Sequence, residues 1–227
     1  LTYAHVDKIS EMYGIEIVKL NNGDVPTLVK KHKRFPSDAA RFCTDSLKIQ
    51  VGKAFYKQLA QEQGQGFEVW YGMRTGESSQ REKRYAGIVC DEVMPPHCFM
   101  PSKYPQYLAK LGIMIRLPVV DWSTEDIFEF VGDELNPLYK MGFDRVGCFP
   151  CLAGGDYWKA KAFGFDDFGK SQRIQVVQLA HEIKKNVYTT KSYSSKIENL
   201  DLMVQTKRKS KLLHDDLFDA PCMICHI

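Results

Sequence analysis

The spacing of apolar residues divides the chain into alternating helical and extended stretches. "LTYAHVDKISEMYGIEIVKL" sets Tyr3, Val6, Ile9 and Tyr13 at helical intervals. It predicts a helix stopped by Gly14, then a short strand through Ile15, Ile17 and Val18. That is half of a βαβ unit whose earlier strand is not in the chain. A basic loop, "KKHKRFPSDAARFCTDSLKI", leads into "VGKAFYKQLAQEQG", a helix closed by Gly64 and Gly66. "FEVWYG" is short, apolar and bounded by glycine, so it reads as a buried strand that delivers the polar loop "MRTGESSQREKR". "IMIRLPVV" reads as a further strand. "DWSTEDIFEFVGD" reads as a helix capped by Ser123 with Asp126 in its first turn. Beyond Gly155, "GKSQRIQVVQLAHEIKKNV" is amphipathic, with Val176, Leu179, Ala180, Ile183 and Val187 on one side. A polar stretch and a tail ending "CMICHI" close the chain.

Repeated strand, loop and helix predict an α/β fold with a doubly wound, mostly parallel sheet. Residues 1–155 are expected to form this domain, and residues 156–227 a helical and irregular appendage folded back on it. There are no internal repeats. With 227 residues, 44% of them hydrophobic, the chain has enough apolar area for a sizeable core. A net charge of +3 is too small to point to a partner, so only local clusters of charge inform. No apolar run approaches the roughly 18–20 residues that span a bilayer, and the start carries no signal peptide. A cytoplasmic protein with no membrane partner is the expectation. Seven cysteines, an odd number, argue against a secreted disulfide framework and shift attention to metal or redox chemistry.

Four groups of residues offer chemistry. In "YGMRTGESSQREKR", Arg74, Ser78 and Arg81 supply two guanidiniums and a hydroxyl suited to phosphate or sulfate, and Gly72 and Gly76 let backbone approach such a ligand. A solvated charged turn is the plain alternative. In "RFCTDSLKI", Arg41, Cys43 and Lys48 stand close together; the thiol is either a buried core group or a ligand. Cys148 and Cys151 in "GCFPC", and Cys222 and Cys225 in "CMIC", share the Cys-x-x-Cys spacing. Such pairs suit zinc, equally suit an iron–sulfur cluster that recruits Cys43, or are unliganded thiols. Cys90 and Cys98 lack the spacing and read as core or surface residues. Last, "KKHKR", from Lys30 to Arg34, and "KRKSK", from Lys207 to Lys211, are basic runs able to meet a nucleic-acid backbone or simply to be solvated. His32 and His97 lie in loops, and His226 beside Cys225 is a possible metal ligand.

The order of these pieces is more specific than any one of them. "RFCTDSLKI", "GMRTGESSQR", "LPVVDWSTEDIFEFV" and "NPLYKMGFDRVGCFPC" together resemble the phosphoadenosine-phosphosulfate reductase family, within the adenine-nucleotide alpha-hydrolase-like fold. The resemblance covers about Leu1 to Cys151. It implies that Arg41, Lys48, Gly72, Arg74, Ser78 and Arg81 face the nucleotide's phosphate or sulfate end. It also implies that Cys43, Cys148, Cys151 and one of Cys222 and Cys225 hold a [4Fe–4S] cluster, with zinc as the alternative. The family's Ser-Gly-Gly-x-Asp-Ser loop is absent, which implies that about one 30-residue βαβ unit precedes Leu1. Phe42-Cys43 replaces the double cysteine of cluster-bearing reductases, and "MICHI" lacks the glutamate and glycine of their nucleophile tail.

This variant most resembles the ATP-pyrophosphatase sulfurtransferases of DNA phosphorothioation. The resemblance implies an enzyme using ATP with Mg, a cysteine desulfurase as sulfur donor, and DNA or tRNA as acceptor, with Arg74 and Arg81 at the phosphates. A sulfonucleotide reductase with Cys225 as nucleophile, or a tRNA thiolation enzyme, is the alternative enzyme. A zinc-stabilised module that binds nucleic acid or a partner without catalysis is the alternative of another class.

Overall fold

The computed structural model describes residues 2–143 and 146–188. Cys222, Cys225, His226 and the run from Lys207 to Lys211 therefore lie outside the described residues. Helices of seven or more residues are α1 (Thr2–Tyr13), α2 (Val25–His32), α3 (Gln50–Gln63), α4 (Ser79–Tyr85), α5 (Thr124–Val131), α6 (Asp156–Phe165) and α7 (Asp167–Ile183). The strands are β1 (Glu68–Trp70), β2 (Val93–Met94) and β3 (Met114–Arg116). Contacts divide the described chain into two units, one built from residues 2–20 and 49–147, the other from residues 21–48 and 148–188. Residues 21–48 thus share a unit with the segment that carries Cys148 and Cys151, a grouping that a boundary near Gly155 does not anticipate. No described helix is long and apolar enough to cross a membrane.

The first unit is built on the sheet. Its order is β1-β3-β2, with β1 parallel and β2 antiparallel to β3. The doubly wound, mostly parallel sheet expected from the sequence is therefore, among the described residues, a small mixed one. Val69, Ile115 and Met94 stand opposite one another and are buried together, whereas Trp70 on the other face is 66% exposed. "FEVWYG" is accordingly half-buried rather than fully buried: the two-residue period of a strand turns Glu68 and Trp70 away from the core. Ile15, Ile17 and Val18 form no strand. No described segment pairs with them, and an extended chain without a neighbour gains no ladder.

α3 buries Tyr56 and Ala60 and ends, as its sequence indicates, at Gly64 with φ +65°. Its core partners include Val69, Ile115, Leu117, Leu108 and Phe99. Within that core the Tyr71 hydroxyl lies 3.0 Å from that of Tyr56 and 2.7 Å from that of Tyr104. Burial, then the two neighbouring phenols, hold Tyr71 far above the ordinary phenol range. Gly66 and Gly112 meet backbone to backbone; a Cβ on Gly66 would sit 2.2 Å from the Gly112 carbonyl oxygen.

The second unit is helical. α7 buries Val176, Leu179 and Ala180 against Val29 of α2 and Ala160 and Phe163 of α6. The Asp166 side chain caps α7 by accepting from Gly169 N at 2.7 Å. Gly169 is required where α6 and α7 touch, since its Cβ would lie 2.1 Å from the Ala162 carbonyl oxygen. Val187 is buried as expected, but beyond the helix, which stops at Ile183 before Lys184 in the left-handed region (φ 55°).

Candidate functional site

Two places carry the candidate residues, one in each unit. In the first, the chain leaves β1 and β3 through loops that are tied together. Thr75 donates through N and Oγ1 to the Val120 carbonyl at 2.9 and 3.1 Å. Arg74, 3% exposed, donates to the Trp122 carbonyl at 3.2 Å and to Thr124 Oγ1 at 3.3 Å. Those acceptors lie at the start of α5, where Ser123 and Asp126 form the capping box expected from the sequence. The Ser123 amide, donating to Asp126, holds that carboxyl below its ordinary range, and Arg74 adds to the effect.

Past Arg74 the chain forms a short 3-10 turn at Thr75–Glu77, and Ser78 caps α4 by accepting from Arg81 N at 3.3 Å. Glu77 is buried and forms an ion pair with Arg81, four residues on. The loop is therefore a built structure rather than a solvated turn. Its guanidiniums hold loop to loop and charge to charge, while Gly72, Gly76 and Ser78 are its exposed positions.

The second place is a cavity of about 220 Å³ inside the helical unit. Cys43, Cys148 and Cys151 all line it, with apolar walls from Val25, Leu152 and Val176. Cys148 is exposed, and Cys43 and Cys151 are half-buried. Burial, reinforced by the two nearby thiols, raises the pKa of Cys43. The three described thiols that the sequence and the family resemblance offer as ligand candidates thus line one cavity. Yet no three His, Cys, Asp or Glu side chains among the described residues are arranged to hold a metal ion. The thiols have the right chemistry for a cluster or zinc, but the described set is not by itself a metal centre.

Arg41 precedes Cys43 and pairs with Asp38; Lys48 lies in the π-helical turn Asp45–Ile49, and neither lines the cavity. In the first basic run, Lys30 pairs with Glu182 at 2.8 Å, His32 stacks on Phe42 at 4.2 Å, and Arg34 lies over the same ring. That run is partly built into the fold. Cys90 packs against the first unit's core and Cys98 is exposed, as expected of residues without ligand spacing.

Sequence reasoning missed one buried charge pair. Lys159, 1% exposed, meets Asp156 at 2.7 Å and donates to the Val187 carbonyl at 2.8 Å. The available signal was an acid and a base three residues apart in "DYWKAKAFGF".

Comparison with known proteins adds the relationships. An uncharacterized 37.8 kDa protein of Escherichia phage 186 is 29% identical over 141 residues, which is 61% of this chain and 37% of the phage protein. An uncharacterized protein of Methanocaldococcus jannaschii is 27% identical over 155 residues, 67% of this chain and 28% of that protein. The chain thus spans about a third of the length of these curated relatives. No solved structure matches it. The phosphoadenosine phosphosulfate reductase domain matches residues 1–153, a stretch that includes both the loop after β1 and all three cavity thiols. Matched over well beyond half its length, the chain belongs to the phosphoadenosine phosphosulfate reductase domain family.

Proposed function

We propose that the chain is part of a nucleotide-dependent sulfur-transfer enzyme of the ATP-pyrophosphatase type, acting in DNA phosphorothioation. The observation that carries this reading is that Cys43, Cys148 and Cys151 line one cavity within a member of this family. ATP with Mg would activate an acceptor oxygen by adenylylation. Pyrophosphate would leave, and a sulfur nucleophile supplied through a cysteine desulfurase would displace AMP. In this scheme Ser78 and the exposed glycines of the loop after β1 meet the phosphates. Arg81 adds positive charge beside them, and Arg74 positions the loop through its hydrogen bonds to the start of α5. Arg41 and Lys48 are candidates for the same anion. The basic run from Lys30 to Arg34 is the described candidate for a DNA or tRNA backbone.

A [4Fe–4S] centre on the three thiols would take its fourth ligand from Cys222 or Cys225; zinc is the alternative. Such a centre would supply thiolate-bound sulfur chemistry at the cavity. The test uses the full-length protein. Pyrophosphate release from ATP is expected to depend on Ser78, and to fall on Ser78→Trp without loss of fold. Iron and acid-labile sulfide near four each per chain are expected on anaerobic purification. Unchanged pyrophosphate release in Ser78→Trp would remove the phosphate assignment. The family match also favours a sulfonucleotide reductase; thiol-dependent sulfite release abolished by Cys225→Ser would select it.

A further inference from the structure

The three thiols of the cavity are not equivalent, and the difference points to a chemistry that needs no metal. Cys148 is exposed, while Cys151 and Cys43, lining the same cavity, are half-buried. Cys148 and Cys151 stand three positions apart, the spacing at which two cysteines of one loop readily close a disulfide. The turn between them is anchored just beyond Cys151, where Gly154 N donates to the Cys151 carbonyl at 2.9 Å. Both cysteines line the cavity of about 220 Å³, so the segment that carries them borders open space rather than close-packed interior.

We infer that Cys148 and Cys151 form a reversible dithiol–disulfide pair that switches the thiol cavity, with Cys148 as the attacking thiol, Cys151 as the resolving thiol and Cys43 left reduced. The co-reactant is a low-molecular-weight disulfide of the glutathione class. The Cys148 thiolate attacks one sulfur of the co-reactant; a new S–S bond forms to Cys148, and the other half leaves as thiolate. The Cys151 thiolate then attacks Cys148 Sγ and expels the second half as thiolate. Two electrons pass from the pair to the co-reactant, which is reduced to two thiols that take up the two protons. Closing the bond withdraws two of the three cavity thiols from any sulfur or ligand chemistry; reduction restores them. This goes beyond the sulfur-transfer reading and holds even if the acceptor is not DNA.

The test uses the full chain, anaerobically reduced, both as purified and after chelator treatment. Each sample is equilibrated in glutathione buffers of increasing oxidised fraction, alkylated and mapped by mass spectrometry. In the chelator-treated sample, the tryptic peptide carrying both cysteines is expected to lose two hydrogens with Cys43 still alkylated. Cys151→Ser is expected to accumulate glutathione at Cys148 about tenfold more than Cys148→Ser accumulates it at Cys151. The inference is overturned if both thiols stay free in the chelator-treated wild type, if Cys148 pairs with Cys43 instead, or if trapping is equal in the two variants. The wild-type map stands alone if either variant fails to fold. Pyrophosphate release followed in the same samples separates the two ideas. Its absence from the reduced, as-purified protein supplied with Mg, with the disulfide still forming on oxidation, would remove the sulfur-transfer reading and leave the switch.

Discussion

The loop after β1 and the thiol cavity both stood out in the sequence as reactive, and the structure treats them in opposite ways. In the loop, the charged groups turn inward: Arg74 binds the Trp122 carbonyl and Thr124, and Arg81 pairs with the buried Glu77. At the cavity Cys148 is exposed and Cys43 and Cys151 are half-buried, with no ion pair or cap engaging Cys148 or Cys151 through their thiols in the hydrogen bonds and ion pairs described. A dense motif of arginines can therefore be architecture, while a sparse pair of cysteines can be the more available chemistry.

The contrast can be broken in several places, starting with the helical unit's own buried charge. Lys159→Ala would leave Asp156 buried without its cation, and chemical denaturation is expected to show a loss of about 4 kcal/mol. The double variant Lys159→Met, Asp156→Leu should recover most of it. Next, Arg81→Ala would strand Glu77 and cost about 3 kcal/mol if the pair is architectural. An Arg81→Ala protein of unchanged stability with weakened ATP binding would reverse the contrast and make Arg81 a ligand group. Gly66→Ala, which drives a methyl into the Gly112 carbonyl, should cost about 2 kcal/mol and leave thiol reactivity untouched.

Ser123→Ala is smaller, about 1 kcal/mol through the lost cap of α5. Its pH dependence has a definite sign. The Asp126 carboxyl is lowered in the folded state, so its contribution is present above the unfolded aspartate pKa and is lost as pH falls through the folded value. The stability gap between wild type and Asp126→Asn should therefore narrow below about pH 4, while Ser123→Ala, which keeps the residue-123 amide, retains most of the pH dependence. The smallest effect is kinetic. Because burial and the neighbouring thiols raise Cys43, less of it is thiolate near neutral pH. Its alkylation should lag that of a free cysteine peptide and rise at higher pH; equal rates across the range would show a Cys43 more open than its burial indicates.

Much of this was legible because short-range rules governed it. The spacing of Tyr3, Val6 and Ile9, the cap at Ser123 and the stop at Gly64 are settled within a turn or two of chain, and each element formed where its pattern placed it. The sheet was less legible. Whether Ile15 to Val18 becomes a strand depends on a neighbour that no local pattern supplies. The antiparallel entry of β2, two residues long, leaves almost no period to detect. At the candidate site, cysteine spacing identified Cys148 and Cys151 and family resemblance added Cys43. The roles of Arg74 and Arg81 could not be read, because a guanidinium looks the same in sequence whether it meets a phosphate, Glu77 or a backbone carbonyl some fifty residues away.

The uncovered face of β1 also provides a spectroscopic probe. Trp70 is the most exposed of the three tryptophans, with its indole N–H donating to Glu68 at 2.5 Å and the Arg116 guanidinium over its ring at 5.9 Å. Its fluorescence should be red-shifted and open to quenching by iodide or acrylamide, while Trp122 and Trp158, half-buried, respond less. A blue shift confined to Trp70 would then report, in solution and without a label, the moment water leaves that face of the sheet.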